Sequence, residues 1–216
     1  MLAITFDMDG LMFNTEDVYT LTGTELLARR GYLFTPQLKD AMMGLPPRAA
    51  FEAMISYHRL KEPWHVLAAE SDEIFLGLLN ERLAIMPGLS ELLAALEKAG
   101  IPKAIATSSG RRLTEACLAP FQLAPRFCFI LTSEDITRGK PNPEIYLLAA
   151  RRFGVPPAEM LVLEDSQNGC RAAAAAGAFT IAVPGDHSRN QDFSIANLVI
   201  ESLADRKIYK VLGIEA

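Results

Sequence analysis

Asp7 and Asp9 stand two residues apart where an apolar run ends, and Gly10 follows at once, in the stretch "AITFDMDGLMFNTE" (residues 3–16). Neighbouring carboxylates repel unless a cation lies between them or one carries a proton. Both escapes are chemical. A carboxylate can attack phosphorus to give an aspartyl phosphate, but a phosphate ester is itself anionic, so its approach demands positive charge. Oxygen ligands favour Mg²⁺ over zinc, and His58, His65 and His187 show no ligand spacing. The calcium loop of an EF-hand is excluded, because it needs its glycine sixth whereas Gly10 is fourth from Asp7.

Three further loops carry matching chemistry. "ATSSG" (106–110) lies between an apolar run and a helix start, where the hydroxyls of Thr107 and Ser108 and free backbone amides would hold phosphate oxygens. In "RGKPNPEIY", Lys140 stands between a glycine and a proline, placed to neutralise both a phosphate and an attacking carboxylate. This is no phosphate-binding P-loop, since Glu134 occupies the first glycine position of that pattern. "LVLEDSQNG" ends an apolar run in Glu164 and Asp165. Alternation along a strand would send one acid, Asp165, to a metal and leave Glu164 to support a water or a neighbouring ligand. Each loop alone has a plainer reading: a solvated turn, a helix cap, a surface lysine, an acidic helix start. Those readings do not explain four such loops in order.

The elements that would position these loops alternate. Ala3–Phe6 reads as a strand buried on both faces. Residues 14–86 then read as helices, one closing at Gly31, one starting at Thr35 and Pro36, and two more beginning at prolines. Leu89, Leu92, Leu93 and Leu96 mark one face of a helix before the strand "IPKAIAT". Helix 112–119, strand "CFILT", helix "PEIYLLAARRF", strand "MLVLE", helix "SQNGCRAAAAAG" and strand "FTIAVP" follow, with the alanines read as a thin helix close to the sheet. The predicted fold is α/β: a Rossmann-like parallel sheet core (1–13 and 87–216) with an inserted α-helical cap (14–86). The polar loops fall at the carboxyl ends of the strands, where such sheets bind ligands. "GDHSRNQD" reads as a solvated connection.

With these motifs the chain resembles the haloacid dehalogenase-like phosphohydrolases, in their β-phosphoglucomutase-like branch with a helical cap. The stretches "DMDGLMFNTE", "ATSSG", "GKPNPEIY" and "LEDSQNGCRAAAAAG" carry the resemblance in the family's order. It implies Asp7 as nucleophile, Asp9 as general acid and base, and Thr107 and Lys140 as phosphate binders. It also implies Asp165 as a Mg²⁺ ligand beside Asp7 and the Asp9 backbone carbonyl. Asn14 departs from the pattern, since relatives usually carry aspartate there, so the residue at this cap hinge brings no charge.

The expected activity is Mg²⁺-dependent hydrolysis of a small phosphate monoester, a sugar phosphate or nucleotide. A sugar phosphate mutase is the nearest rival, because it shares the aspartyl phosphate and differs only in what attacks it. A dehalogenase would lack Asp9, and a phosphonate hydrolase would need a cap lysine, for which Lys39 and Lys61 have no supporting motif. A receiver module shares the Asp, Thr and Lys set on about half this length, without an insert. Arg48, after the "GLPP" loop of the cap, is a candidate contact for a second polar group of the substrate, whereas Tyr19 and Trp64 read as cap core.

Composition sets the outer limits. The 216 residues, 50% apolar and 22% charged, suffice for a full core plus an insertion. A net charge of -5 gives no basic face for nucleic acid. No apolar stretch suits a leader or a membrane span, because Asp7 interrupts the first one. Cys117, Cys128 and Cys170 lack a paired spacing and read as reduced thiols. The chain is thus expected to be a cytoplasmic monomer acting on a small phosphorylated metabolite.

Overall fold

The computed structural model describes residues 1–43, 45 and 47–215. Gly44 and Pro46, part of the loop read before Arg48, lie outside them. The described chain divides into two compact units, Met1–Asn14 with Ala84–Ala216, and Thr15–Leu83. The second unit is reached and left at residues 14–15 and 83–84, three residues before the return point read from the sequence.

The first unit is a parallel sheet. Its strands are β1 (Ala3–Phe6), β2 (Lys103–Ala106), β3 (Ile130–Leu131), β4 (Met160–Glu164), β5 (Phe179–Ala182) and β6 (Leu198–Val199). They lie in the order β3-β2-β1-β4-β5-β6, and every neighbouring pair is parallel. Strand β1 lies inside the sheet between β2 and β4, with all four of its residues buried, Thr5 among them. The connecting helices are α5 (Leu89–Lys98), α6 (Arg111–Leu118), α7 (Glu144–Phe153), α8 (Gln167–Ala176) and α9 (Arg206–Leu212). One face of the sheet packs Val162 and Met160 against Tyr146, Ala149 and Ala150 of α7 and Ala172, Ala173 and Ala176 of α8. The alanine run is therefore a helix with small side chains, not a tail. Helix α8 starts at Ser166, whose hydroxyl accepts from the amide of Gly169 at 3.1 Å.

The second unit holds α1 (Thr15–Ala28), α2 (Pro36–Met42), α3 (Pro47–His58) and α4 (Trp64–Arg82). Thr35 caps α2 by accepting from Leu38 N at 3.2 Å. Gly31, just past α1, takes the left-handed conformation (φ 74°) expected of a helix-ending glycine. Leu26, Leu27, Leu38, Met54, Leu67 and Ile74 form the unit's own core, and Tyr19 stacks on Phe75 at 4.5 Å between ring centres. Among the described residues, no helix is long and apolar enough to cross a membrane.

Three sequence expectations change. The strand read from "CFILT" shrinks to Ile130–Leu131. The two last elements, β6 and α9, follow a segment read as loop only. That segment is not merely solvated, since Ser188 is buried and Gln191 Oε1 accepts from Gln167 N at 2.8 Å, at the start of α8.

At the amino end of β2, Glu97 of α5 accepts from Arg126 through both oxygens (2.8 and 2.9 Å), and its Oε1 lies 3.1 Å from the Nζ of buried Lys103. The Arg126 guanidinium and then Lys103 lower its pKa from an ordinary 4.5 to about 2. A depressed carboxyl contributes stability above its unfolded pKa and loses it as pH falls through the folded value. Glu97→Gln is therefore expected to cost about 0.5–1 kcal/mol at pH 7, small because the pair is part-exposed, with the gap to wild type closing between pH 4.5 and 2. Denaturant unfolding across that range checks it.

Candidate active site

The parallel register assembles the site. Phe6 pairs with Leu163 and with Ile105, so the residues that follow β1, β2 and β4 emerge side by side. This is the point where the strand order reverses, between β1 with β2 on one side and β4 on the other. Asp7 N donates to Leu163 O at 2.9 Å, which fixes the first aspartate beside the end of β4. Asp7, Glu164 and Asp165 are buried and offer carboxylate oxygens that all lie within 4.8 Å of one another. Strand alternation does not divide the two neighbouring acids, because β4 ends at Glu164 and Asp165 lies beyond it.

Lys140 meets this cluster with all three of its protons. Its Nζ donates to Asp7 Oδ1 at 2.5 Å, Glu164 Oε1 at 2.7 Å and Ala106 O at 3.0 Å. The same Nζ lies 5.0 Å from the centre of the Tyr146 ring, and the Tyr146 hydroxyl donates to Glu164 Oε1 at 2.7 Å. The other Glu164 oxygen accepts from Ser166 N at 3.2 Å and Ser166 Oγ at 2.9 Å. Glu164 is thus tied on every side, and Tyr146 is a site residue that reading the sequence missed. Its place in "KPNPEIY" gave only a helix position.

The electrostatics show what the cluster lacks. Burial pushes the Asp7 carboxyl well above the usual carboxylate range, with Glu164 and Asp9 adding to the rise and Lys140 opposing it. Burial would lower Lys140, but Asp7 and Glu164 outweigh it and hold the ammonium charged. Three carboxylates crowd together here, two of them paired with the Lys140 ammonium, and added positive charge would offset their mutual repulsion. A hard divalent cation with oxygen ligands answers that need, and Mg²⁺ fits the donor set. Asp7, Glu164 and Asp165 are the carboxylates that could hold it.

Asp9 does not share this cluster. Its Oδ2 accepts from Thr107 Oγ1 at 3.0 Å and Ser109 Oγ at 2.8 Å, while its Oδ1 is buried without a hydrogen-bond partner among the described residues. The metal contact that the resemblance implies for Asp9 is through its backbone carbonyl, not through this carboxylate. Thr107 is buried where β2 ends, and its amide donates to Leu131 O at 3.0 Å. Ser108, expected beside it, is exposed, and Ser109 is the second hydroxyl that turns inward. The start of α6 is also less open than the sequence suggests: the carboxylate of Glu134 takes Arg111 N at 3.1 Å through each oxygen, as a helix dipole favours.

Arg48 lies on α3 of the helical unit, exposed, paired with Glu52 at 2.7 Å and 6.0 Å from the Trp64 ring centre. Asn14 joins the two connecting segments: its amide donates to Ala84 O at 3.1 Å and its Oδ1 accepts from Ala84 N at 2.7 Å. That contact needs an acceptor and no charge, so the missing aspartate costs it nothing. The cysteines are all free; Cys117 and Cys170 are buried, and burial pushes the Cys117 thiol up to about 12. Neither is poised as a nucleophile.

The family model for haloacid dehalogenase-like hydrolases matches residues 4–183, a span that includes every loop of this site. The chain belongs to the haloacid dehalogenase-like hydrolases. It is 35% identical over 208 residues to a Drosophila melanogaster protein named "Probable pseudouridine-5'-phosphatase", covering 94% of this chain and 90% of that one. It is 31% identical to the "Phosphorylated carbohydrates phosphatase" of Thermotoga maritima, with 82% of each covered. The crystal structure of CbbY from Rhodobacter sphaeroides, in complex with phosphate, superposes with a TM-score of 0.84 at 29% identity, covering 95% of this chain and 96% of that one.

Proposed function

We propose that this haloacid dehalogenase-like hydrolase is a Mg²⁺-dependent phosphatase that hydrolyses a small phosphate monoester, a sugar phosphate or nucleotide, through an aspartyl phosphate on Asp7. The observation that carries the reading is the division of labour between the two aspartates. Asp7 lies in the cation-hungry cluster with Lys140, Glu164 and Asp165, whereas Asp9 is held on hydroxyls with one oxygen unpartnered. Relatives named for phosphatase action on a nucleoside phosphate and on phosphorylated carbohydrates support the substrate class.

In this reading an Asp7 oxygen attacks phosphorus, the bond from phosphorus to the ester oxygen breaks, and Asp9 gives its proton to the departing alkoxide. Water then yields a proton to Asp9 and attacks the aspartyl phosphate. Inorganic phosphate leaves and Asp7 is restored. Lys140 and the Thr107 hydroxyl bind the phosphoryl oxygens, whereas the exposed Ser108 side chain has no such place. Bound by Asp7 and Asp165, with Glu164 alongside, Mg²⁺ would supply the positive charge that lets an anionic ester approach a carboxylate. The helical unit acts as the cap that shields the reaction from bulk water, and Arg48 is our candidate contact for the rest of the substrate.

Phosphate release over a panel of metabolites tests the whole proposal. With EDTA, hydrolysis is expected to fall at least about a hundredfold and to return with Mg²⁺. Independently of turnover, saturating Mg²⁺ at about 100 times its dissociation constant is expected to add about 2.7 kcal/mol to unfolding stability. A chain that hydrolyses its best substrate in EDTA, with no stability gain from Mg²⁺, would refute the metal. Glucose phosphates interconverted with a bisphosphate primer, without net release, would select a mutase instead.

A further inference from the structure

We infer that Ser109 is a positioning residue for Asp9, fixing which of its oxygens delivers the proton; this rests on the acid–base role proposed for Asp9. Two hydroxyls converge on Asp9 Oδ2, from Thr107 at 3.0 Å and from Ser109 at 2.8 Å. An oxygen that accepts from two donors is the poor place for a proton, so the acid form carries it on Oδ1. Oδ1 is the buried oxygen without a partner. The leaving-group oxygen is the partner that position awaits.

The two hydroxyls are not equivalent during reaction. Each has a single proton to donate. Thr107 is also the residue whose hydroxyl binds a phosphoryl oxygen in the proposed mechanism, and once its proton turns that way it leaves Asp9. Ser109 then remains as the contact that orients the carboxyl while the ester bond breaks. Its own backbone is well held for this role, since Ser109 N donates to Thr107 Oγ1 at 3.0 Å and Ser109 O accepts from Ser133 N at 3.1 Å. The step balances, with the Asp9 O–H bond breaking as the new O–H bond forms on the departing alkoxide, and the bond from Asp7 to phosphorus forming as the ester bond breaks.

Leaving-group dependence separates this role from a merely structural one. An alkyl phosphate such as a sugar phosphate needs a proton on its alkoxide, whereas 4-nitrophenyl phosphate releases a stable phenolate that needs little help. The constant kcat/KM reports ester cleavage and not hydrolysis of the intermediate. Ser109→Ala is expected to lower kcat/KM about tenfold or more on the alkyl ester and less than about threefold on the aryl ester, a part of the 10²- to 10⁴-fold that general acids supply. Ser109→Thr, which keeps the hydroxyl, should recover most of the alkyl rate. Asp9→Asn is the reference and should show the same discrimination, larger. Equal losses on both esters in Ser109→Ala, or discrimination in Asp9→Asn alone, overturn the positioning role while sparing that of Asp9. An Asp9→Asn variant that fails to discriminate overturns both.

Discussion

Replacing Asp7 by asparagine is expected to abolish turnover, with kcat down at least about 10⁴-fold, the scale on which removal of a covalent nucleophile acts. The amide keeps the shape of the carboxylate but cannot form an acyl phosphate. The fold should not suffer. Burial already pushes the Asp7 carboxyl well above its ordinary range, because Glu164 and Asp9 add like charge to the cost of desolvation. Asparagine removes that repulsion. Lys140 keeps two of its three acceptors, Glu164 Oε1 and Ala106 O, so no buried charge is left alone. In EDTA the urea midpoint of the variant should equal or exceed that of wild type. Two measurements decide the matter: phosphate release, and mass analysis of acid-quenched wild-type enzyme for a phosphoryl group on the peptide that contains Asp7. More than about one per cent residual activity in a clean preparation would remove Asp7 from the nucleophile's place. A sharply lowered urea midpoint would mean that its bond to Lys140 serves the fold instead.

Much of this site could be read from the chain because a parallel sheet converts sequence order into spatial order. Strands such as Ala3–Phe6 and Met160–Glu164 are largely apolar and buried on both faces, so the acids at and after their ends announce where they stop. Once those strands are neighbours, Asp7, Lys140, Glu164 and Asp165 have few places to go. What stayed hidden depends on torsions and on partners distant in sequence. "ATSSG" offers three hydroxyls in a row, and spacing alone does not say that Ser109 turns toward Asp9 while Ser108 faces outward. Tyr146 looks like any aromatic on an amphipathic helix until its hydroxyl meets Glu164. The carboxylate that holds the start of α6 comes from Glu134, 23 residues away. Strand β6 has only two residues, one of them exposed, and the apolar run around it, Leu198 to Ile200, is too short to mark a strand.

Gly169 belongs to the hidden part, and replacing it by alanine should produce the largest loss of stability of any single-methyl change in the site. Helix propensity predicts the reverse, since alanine is favoured over glycine inside a helix by about 0.5–1 kcal/mol. Space decides against it. A Cβ built on Gly169 would lie 1.7 Å from Glu164 Oε1 and 1.8 Å from its Cδ. Neither side can give way cheaply. Glu164 is held by Lys140, Tyr146 and Ser166, and α8 is pinned by the Ser166 cap at its start and by Ala172, Ala173 and Ala176 against the sheet. Overpacking of about 1–3 kcal/mol, added to buried polar groups torn from their partners at about 1–3 kcal/mol and offset by about 0.5–1 kcal/mol of helix propensity, gives an expected cost of about 1–5 kcal/mol. The carboxylate pushed aside would release Lys140 from one of its two anionic partners, so activity should fall at least about tenfold as well. Gly77 of α4 supplies the contrast, because a Cβ there meets nothing within 4 Å. Gly77→Ala should follow helix propensity and gain about 0.5–1 kcal/mol. Denaturant unfolding of both variants, side by side, gives opposite signs if the glycine beside Glu164 is kept for room and not for flexibility. A stabilised, fully active Gly169→Ala enzyme would mean that Glu164 has another place to sit, and that its hold on Lys140 is dispensable.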